Sequence, residues 1–126
     1  MSEPHAVTNS GAPEIALTKA TIRAADKLGL TNRVLGAIIG LSEPTISRMK
    51  NGEYVLPRNQ KAFELSVAFV RLYRSLDAIV SGDEQTAHAW LRNKNTALNG
   101  VPLELVQTVT GLMNVIQYLD TRRANI

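Results

Sequence analysis

Residues Asn32–Asn51 read NRVLGAIIGLSEPTISRMKN and carry the strongest local pattern in the chain. Five apolar residues recur where two short helices would bury a shared core, namely Leu35, Ile39, Leu41, Ile46 and Met49. Gly36 is small where those helices would come closest, and Gly40 occupies the turn, where glycine adopts a left-handed conformation at little cost. Ser42 follows as an N-cap and Pro44 as a first-turn residue. The pattern predicts a helix-turn-helix.

The second of these helices leaves a polar face, which a helix-turn-helix would place in the major groove of DNA. Its hydroxyl, amide and guanidinium groups are the types that reach base edges or phosphates. The candidate DNA-binding residues are Ser42, Pro44, Thr45, Ser47, Arg48, Lys50, Asn51 and Lys61. The competing interpretation is an ordinary pair of helices joined at a glycine. It is disfavoured because such a pair needs neither a small residue at Gly36 nor a capped, proline-started second helix.

The composition is compatible with phosphate contacts and argues against several other kinds of site. The formal net charge is +3. A cluster of basic residues lies in and just after the second helix, namely Arg48, Lys50, Arg58 and Lys61. It is interpreted as a patch that faces phosphates, and the alternative is an ordinary solvent-exposed charged face. Cysteine is absent, which excludes disulfides and thiolate zinc sites. The two histidines lie far apart in sequence, so we expect no metal and no cofactor. No membrane-spanning apolar run and no secretory leader is present, so we expect a cytoplasmic protein without a membrane partner.

The whole chain predicts an all-α protein in which a long helix joins a helix-turn-helix bundle to a small helical module. A helix capped by Thr18 would run to about Lys27 and open the bundle. The predicted organisation is a flexible tail over 1–14, the helix-turn-helix domain over 15–58, a linking or dimerisation helix over 59–81 and the final module over 82–126.

Residues 59–80 contain two apolar stripes at helical spacing. One stripe consists of Leu65, Phe69, Leu72, Leu76 and Ile79. The other consists of Phe63, Val67, Val70 and Tyr73. A helix that is apolar over most of its circumference must be covered on more than one side. Two interpretations remain open, which are contact with a second copy in a homodimer and burial by the chain's own helices.

Three motifs in the last third of the chain indicate a family. Ala89-Trp90-Leu91 is followed by NTALNGVPLEL at residues 95–105, and then by Gly111 before an apolar helix. Their order and spacing resemble the toxin-binding domain of the MbcA/ParS/Xre antitoxins. That domain has a Trp-Leu pair, an Asn-x-x-Leu-x-Gly-x-Pro-Leu-x-Leu loop and a glycine before its last helix. Together with an upstream helix-turn-helix of the Xre type, the resemblance covers about residues 18–123.

The resemblance implies an antitoxin whose partner is a RES-domain toxin that consumes NAD and is encoded beside it. In such pairs the antitoxin covers the toxin's active site and represses its own promoter through operator DNA, here as an expected homodimer. The region from Gly111 onward is then the neutralising surface. Residues 120–123 would form a contact zone, since guanidinium groups suit acidic or phosphate-lined pockets. The candidate toxin-binding residues are Asn114, Gln117, Tyr118, Thr121, Arg122, Arg123 and Ile126.

Two other functions compete with this interpretation. A stand-alone helix-turn-helix transcriptional regulator would use the C-terminal module only to dimerise or to sense a ligand. An enzyme is disfavoured, because the sequence offers no Ser/His/Asp set, no glycine-rich phosphate loop and no paired carboxylates in a cleft. The adjacent Asp83 and Glu84 are better explained as the capped start of a helix. We therefore expect a non-enzymatic protein without catalytic residues.

Overall fold

A computed structural model describes residues 3–125, with side chains from residue 11 onward. These residues form seven helices, which are α1 (Glu3–Lys27), α2 (Asn32–Ile39), α3 (Glu43–Lys50), α4 (Lys61–Ile79), α5 (Glu84–Arg92), α6 (Pro102–Leu105) and α7 (Val109–Ala124). No strand occurs in this part of the chain, where the one β contact is an isolated bridge between Asn95 and Gly100. The predicted all-α fold class is confirmed. Within the same residues no helix is both long enough and apolar enough to cross a lipid bilayer.

Helix α2 and the turn after it have the predicted geometry. The Thr31 hydroxyl accepts a hydrogen bond from the backbone N–H of Val34 (3.1 Å) and so caps α2. Gly40 ends the helix in the left-handed region with φ of 79°. The carbonyl oxygen of Gly36 accepts from the N–H groups of both Gly40 (2.8 Å) and Leu41 (2.9 Å), which closes the turn onto α2. A Cβ atom on Gly36 would lie less than 3.0 Å from the Leu41 carbonyl oxygen, so this position requires glycine.

Helix α3 is held against α2 by two of its apolar residues. Ser42 is the N-cap, and its hydroxyl accepts from the backbone N–H of Thr45 (3.3 Å). Ile46 and Met49 are buried with Leu35 and Ile39 of α2. The remaining α3 side chains stay on the surface or near it. Burial of one narrow stripe therefore fixes the helix while leaving its polar face open.

The centre of the molecule is α4, which packs against α1, α2 and α7. Phe69, Leu72 and Leu76 of the first predicted stripe are almost completely buried. In the second stripe Val70 is buried, whereas Val67 stays 48% exposed. The chain's own helices therefore cover most of the apolar circumference of α4, and one strip remains open to solvent.

Helix α1 corrects the prediction for the start of the chain. The helix begins at Glu3 rather than at Thr18, so residues 3–14 of the predicted tail belong to it. Thr18 is not a cap. Its hydroxyl donates to the Glu14 carbonyl (2.7 Å) and accepts from the distant N–H of Leu56 (3.0 Å). The sequence suggested a break because Gly11 and Pro13 disfavour helix, but these tertiary contacts hold the turn before Thr18 in place.

The C-terminal module consists of α5, α6 and α7. Asp83 caps α5, and the hydrogen bond that its carboxylate accepts from the Thr86 N–H (3.3 Å) keeps the pKa of that carboxyl below its ordinary value. Because the ionised form is favoured in the folded chain, the cap stabilises α5 at neutral pH and is lost as the pH falls through the lowered pKa. Thr108 caps α7 by accepting from the N–H of Gly111 (3.0 Å), so this glycine lies inside the first turn of the last helix.

We predict that Gly36→Ala destabilises the fold by about 1–3 kcal/mol, because the added methyl must displace the backbone of the turn. Gly11→Ala is the matched control, since its Cβ would make only ordinary contact with Ile15 (3.5 Å). In a helix interior the same substitution at Gly11 should raise stability by about 0.5–1 kcal/mol. Chemical denaturation followed by circular dichroism measures both changes. Equal effects of the two substitutions would contradict the close approach at Gly36.

Candidate functional site

The exposed face of α3 carries a row of three hydrogen-bonded side chains. The hydroxyls of Ser42 and Thr45 lie 3.0 Å apart, and the Arg48 guanidinium donates to the Thr45 hydroxyl at 3.1 Å. The spacing of three residues places them along one side of the helix, beginning at its N-terminus. We name these three residues the α3 row. It presents a guanidinium whose orientation is already restricted, with further N–H groups free to contact a base edge or a phosphate.

The other candidate DNA-binding residues surround this row. Pro44 and Ser47 are exposed on α3, and Lys50 and the C-capping Asn51 are exposed at its C-terminal end. Lys61 is separate, because it starts α4, pairs with Glu64 (3.5 Å) and lines a groove between α4 and α7. The structure thus groups most of the predicted set on α3 and its C-terminal end and places Lys61 on a different element.

A second cluster lies where α5 meets α7. The rings of Tyr118 and Trp90 stack with centroids 6.3 Å apart and planes inclined by 17°. Arg122 lies on the same tyrosine, where its guanidinium carbon is 5.8 Å from the ring centroid and its Nη1 donates to the phenolic oxygen (3.2 Å). We name these three residues the α7 stack. Such a layered arrangement limits the rotamers of the arginine and keeps its charge exposed.

The remaining candidate toxin-binding residues extend this surface. Asn114, Gln117 and Thr121 are exposed on α7, and the Thr121 hydroxyl donates to the Gln117 carbonyl (3.0 Å). Arg123 is also exposed, but it turns toward α4, where it donates to the hydroxyl of Ser75 (3.4 Å). Ile126 lies outside the described residues. The structure therefore separates the two neighbouring arginines, one over Tyr118 and one over α4.

Asp120 has a structural role rather than the exposed contact role expected for residues 120–123. Its carboxylate accepts a hydrogen bond from the buried hydroxyl of Ser75 (2.8 Å) and forms an ion pair with Arg71. Both of these partners lie on α4. The residue is half-buried as a result. Sequence spacing could not reveal this, because the partners are separated by 45 and 49 residues. Asp120 fastens α7 to α4 and thereby positions the α7 stack.

Two family models match the chain. One is the antitoxin Xre-like helix-turn-helix domain, over residues 9–71, and it covers half of the sequence. This chain belongs to the Xre-like antitoxins. The other is the antitoxin Xre/MbcA/ParS C-terminal toxin-binding domain, over residues 75–124. The search of curated proteins finds no match. Both domains are those of binding proteins, and a helix-turn-helix beside a toxin-binding domain implies DNA and a toxin as partners.

The two matches meet inside α4, so this antitoxin has no linker between its domains. The α3 row lies in the first match, and the α7 stack lies in the second. Among the side chains that the structure describes, from residue 11 to residue 125, no group of three or more histidine, aspartate or glutamate residues lies close enough to hold a metal ion. The contacts of the α3 row and the α7 stack show what these sites offer a partner, which is hydrogen bonding, charge and stacking.

A junction between α5 and the end of α1 was not predicted from the sequence. Arg92 donates through Nη2 to the carbonyl oxygens of Leu28 and Gly29, each at 3.1 Å. His88 lies one turn earlier, with Nε2 2.8 Å from the carbonyl oxygen of Lys27. The carbonyl groups of the last residue of α1 and of the two residues after it thus receive partners from the toxin-binding domain. A basic residue in the last turn of α5 gave no signal for this role, because its partners lie more than 60 residues away.

We predict that Asp120→Ala lowers the free energy of unfolding by about 1–2 kcal/mol, mainly because the buried Ser75 hydroxyl loses its acceptor. The exposed Arg71 pair should add little, as surface ion pairs contribute about 0–1 kcal/mol. Asp26→Ala, an exposed position on α1, is the control and should change stability by less than about 0.5 kcal/mol. Thermal and urea denaturation measure the difference. Indistinguishable variants would show that Asp120 does not hold α7.

Proposed function

We propose that this antitoxin neutralises a RES-domain, NAD-consuming toxin encoded beside it and represses its own operon by binding operator DNA. The observation that supports the proposal is that one chain carries two separate, preorganised polar sites. The α3 row lies in the helix-turn-helix match and the α7 stack lies in the toxin-binding match. Each site fits one of the two proposed partners, and neither site includes a residue of the other.

The α3 row suits the major groove of DNA. Arg48 can contact guanine or phosphate through the N–H groups that Thr45 does not occupy, while Ser42 and Ser47 offer short hydroxyls. Lys50 adds a cation at the end of the helix. In a two-fold dimer the two recognition helices would enter half-sites one helical turn apart, about 34 Å. We therefore propose that a homodimer recognises the operator.

For DNA, we predict that Arg48→Ala weakens operator binding by about 1–3 kcal/mol, which is roughly fivefold to 150-fold in Kd. Thr45→Val should give a smaller loss, because it keeps the shape but removes the acceptor that orients Arg48. Lys94→Ala removes one charge from the exposed loop after α5 and controls for net charge.

Fluorescence anisotropy with the promoter fragment, at several salt concentrations, measures these effects. Operator binding through phosphates requires a slope of log K against log salt near −0.9 for each phosphate contacted. A flat salt response, or equal losses for Arg48→Ala and Lys94→Ala, would contradict operator recognition by α3.

The α7 stack suits the mouth of a nucleotide-consuming active site. Arg122 needs little further ordering on binding because Tyr118 and Trp90 already restrict it, and lost side-chain entropy is one of the costs of association. Its guanidinium can pair with a carboxylate or phosphate group at the toxin's NAD site. Asn114, Gln117 and Thr121 would supply hydrogen bonds along the same helix. The toxin would thus be inhibited by occlusion of its substrate entrance.

For the toxin, we predict that Arg122→Ala and Tyr118→Ala impair neutralisation and leave operator binding unchanged. Cellular NAD after induction of the neighbouring gene is the measurement, with each antitoxin variant co-expressed. NAD should collapse with the toxin alone, recover with the wild-type chain or Lys94→Ala, and recover incompletely with either α7 variant. Point variants are preferable to a tail deletion, because a deletion from residue 120 would also remove the Asp120 anchor.

Two outcomes would contradict this assignment. If the neighbouring gene leaves NAD untouched, the RES-domain partner is wrong, and a stand-alone regulator becomes the better description. If NAD collapses but both α7 variants protect as well as the wild type, the toxin is bound elsewhere on the chain.

A further inference from the structure

A hollow of about 550 Å³ lies between α1, α4 and α7, and its charged lining consists entirely of arginine. Its floor is formed by alanine, leucine and valine side chains of α1 and α4. The arginines are Arg71 and Arg74 of α4 and Arg123 of α7. Ligand sites in proteins are typically hollows of roughly 300–1,000 Å³ with an apolar lining and a few charged or polar groups. This hollow therefore has the form of a binding site for an anion.

A second hollow continues from the first along α1 and α4. It has a volume of about 170 Å³ and shares Arg74 and two apolar residues with the first hollow. It adds a fourth arginine, Arg23, and the half-buried aromatic ring of Tyr73. From Ala16 in the first hollow to Ala24 in the second, α1 rises by about 12 Å. We name the two hollows together the arginine groove, which is long enough to hold a nucleoside with its phosphates.

The four arginines of the arginine groove are only partly neutralised by the protein. Arg71 pairs with Asp120, and Arg123 donates to a hydroxyl of α4 (3.4 Å), so these two guanidinium groups are already oriented. Among the side chains that the structure describes, no carboxylate forms an ion pair with Arg23 or Arg74. Like charges that line one hollow repel each other, and a bound anion would relieve that repulsion. The groove therefore favours a ligand with more than one negative charge.

We propose that the arginine groove binds a nucleotide, with its phosphates in the first hollow and its base in the second. Guanidinium groups match the geometry of phosphate oxygens and can donate two hydrogen bonds to them at once. Tyr73 supplies an aromatic ring on which a base can stack, and the apolar floor between the hollows suits the sugar. An acidic protein segment would use the arginines but would have no need of the ring. The combination of cations and an aromatic side chain therefore favours a nucleotide.

The arginine groove lies where the two family matches meet. Most of α1 belongs to the helix-turn-helix match, α7 belongs to the toxin-binding match, and the two matches meet inside α4. Small-molecule sites occur preferentially at such boundaries between domains. Of the candidate DNA-binding and toxin-binding residues, only Arg123 lines the groove. The inference thus goes beyond the proposed function, and it can be tested without DNA and without toxin.

Isothermal titration calorimetry of the full chain at low salt tests the proposal. The probes are ADP, inorganic pyrophosphate and adenosine, which carry phosphates and base together or one at a time. ADP should bind most tightly, with pyrophosphate weaker by roughly fivefold or more because it lacks a base to stack, and adenosine weakest. No binding of ADP, or equal binding of ADP and adenosine, would overturn the proposal. So would tighter binding of a short oligoglutamate peptide, since the occupant would then be an acidic protein segment.

Two substitutions locate the two parts of the ligand. Arg74→Ala should raise the Kd of both ADP and pyrophosphate roughly tenfold or more, because it removes the arginine that lines both hollows. Tyr73→Leu should raise the Kd of ADP roughly fivefold or more and leave that of pyrophosphate unchanged, a difference that a purely structural effect would not produce. Arg33→Ala, at an exposed position of α2 outside the groove, is the control and should change neither value.

Circular dichroism should show unchanged helix content in Arg74→Ala, because this side chain is exposed. Equal losses for Arg74→Ala and Arg33→Ala would overturn the proposed site. Equal losses of ADP and pyrophosphate binding in Tyr73→Leu would overturn the placement of the base. Loss of operator binding or neutralisation in other variants, with ADP binding intact, would count only against the proposed function.

Discussion

Phe69, Leu72 and Leu76 of α4 are enclosed by α1 and α2 on one side and by α7 on the other, and the buried residues of both halves form one contiguous core. Burial of each such side chain contributes about 1.5–3 kcal/mol to the free energy of folding. Neither half could bury these residues alone, because α4 would keep an apolar flank exposed. The helix-turn-helix and the toxin-binding domain are therefore parts of one folding unit, although the two family matches meet inside this helix.

The junction at the end of α1 adds a second connection between the halves. Arg92 binds the carbonyls of Leu28 and Gly29, which lie just before the Thr31 cap of α2. The exposed pair Lys27–Glu84 (3.2 Å) lies at the same place and adds little, since both side chains are about half exposed. The core at α4 and the polar contacts at Arg92 together define how the recognition helix is oriented relative to α7. Rotation of one half against the other would have to break both.

How well the sequence predicted the structure depended on how far apart along the chain the contacting residues lie. The bounds of α2 and α3 were predictable because Thr31, Gly40 and Ser42 are capping residues, and each bonds to a backbone group only a few positions away. The predicted start of α1 at Thr18 was wrong. The Thr18 hydroxyl bonds to the N–H of Leu56, which is 38 positions away, and this contact is not visible in the local sequence. The polar face of α3 could also be predicted, because it depends only on the spacing of residues within that helix. The positions of Asp120 and Arg92 could not, because helical periodicity shows which residues share a face but not which distant side chains they meet.

Helix α7 shows how one helix can pack into the core and carry an exposed polar surface at the same time. Its buried side, with Leu112, Val115 and Leu119, holds it to the core, and another side carries Tyr118 and Arg122 of the α7 stack. The α3 row lies on a different helix altogether. On the proposed assignments, operator DNA and the toxin use surfaces that share no residue. Direct competition for a residue therefore cannot link neutralisation to repression. Any such link must pass through what the halves share, which is the core at α4 and the contacts of Arg92.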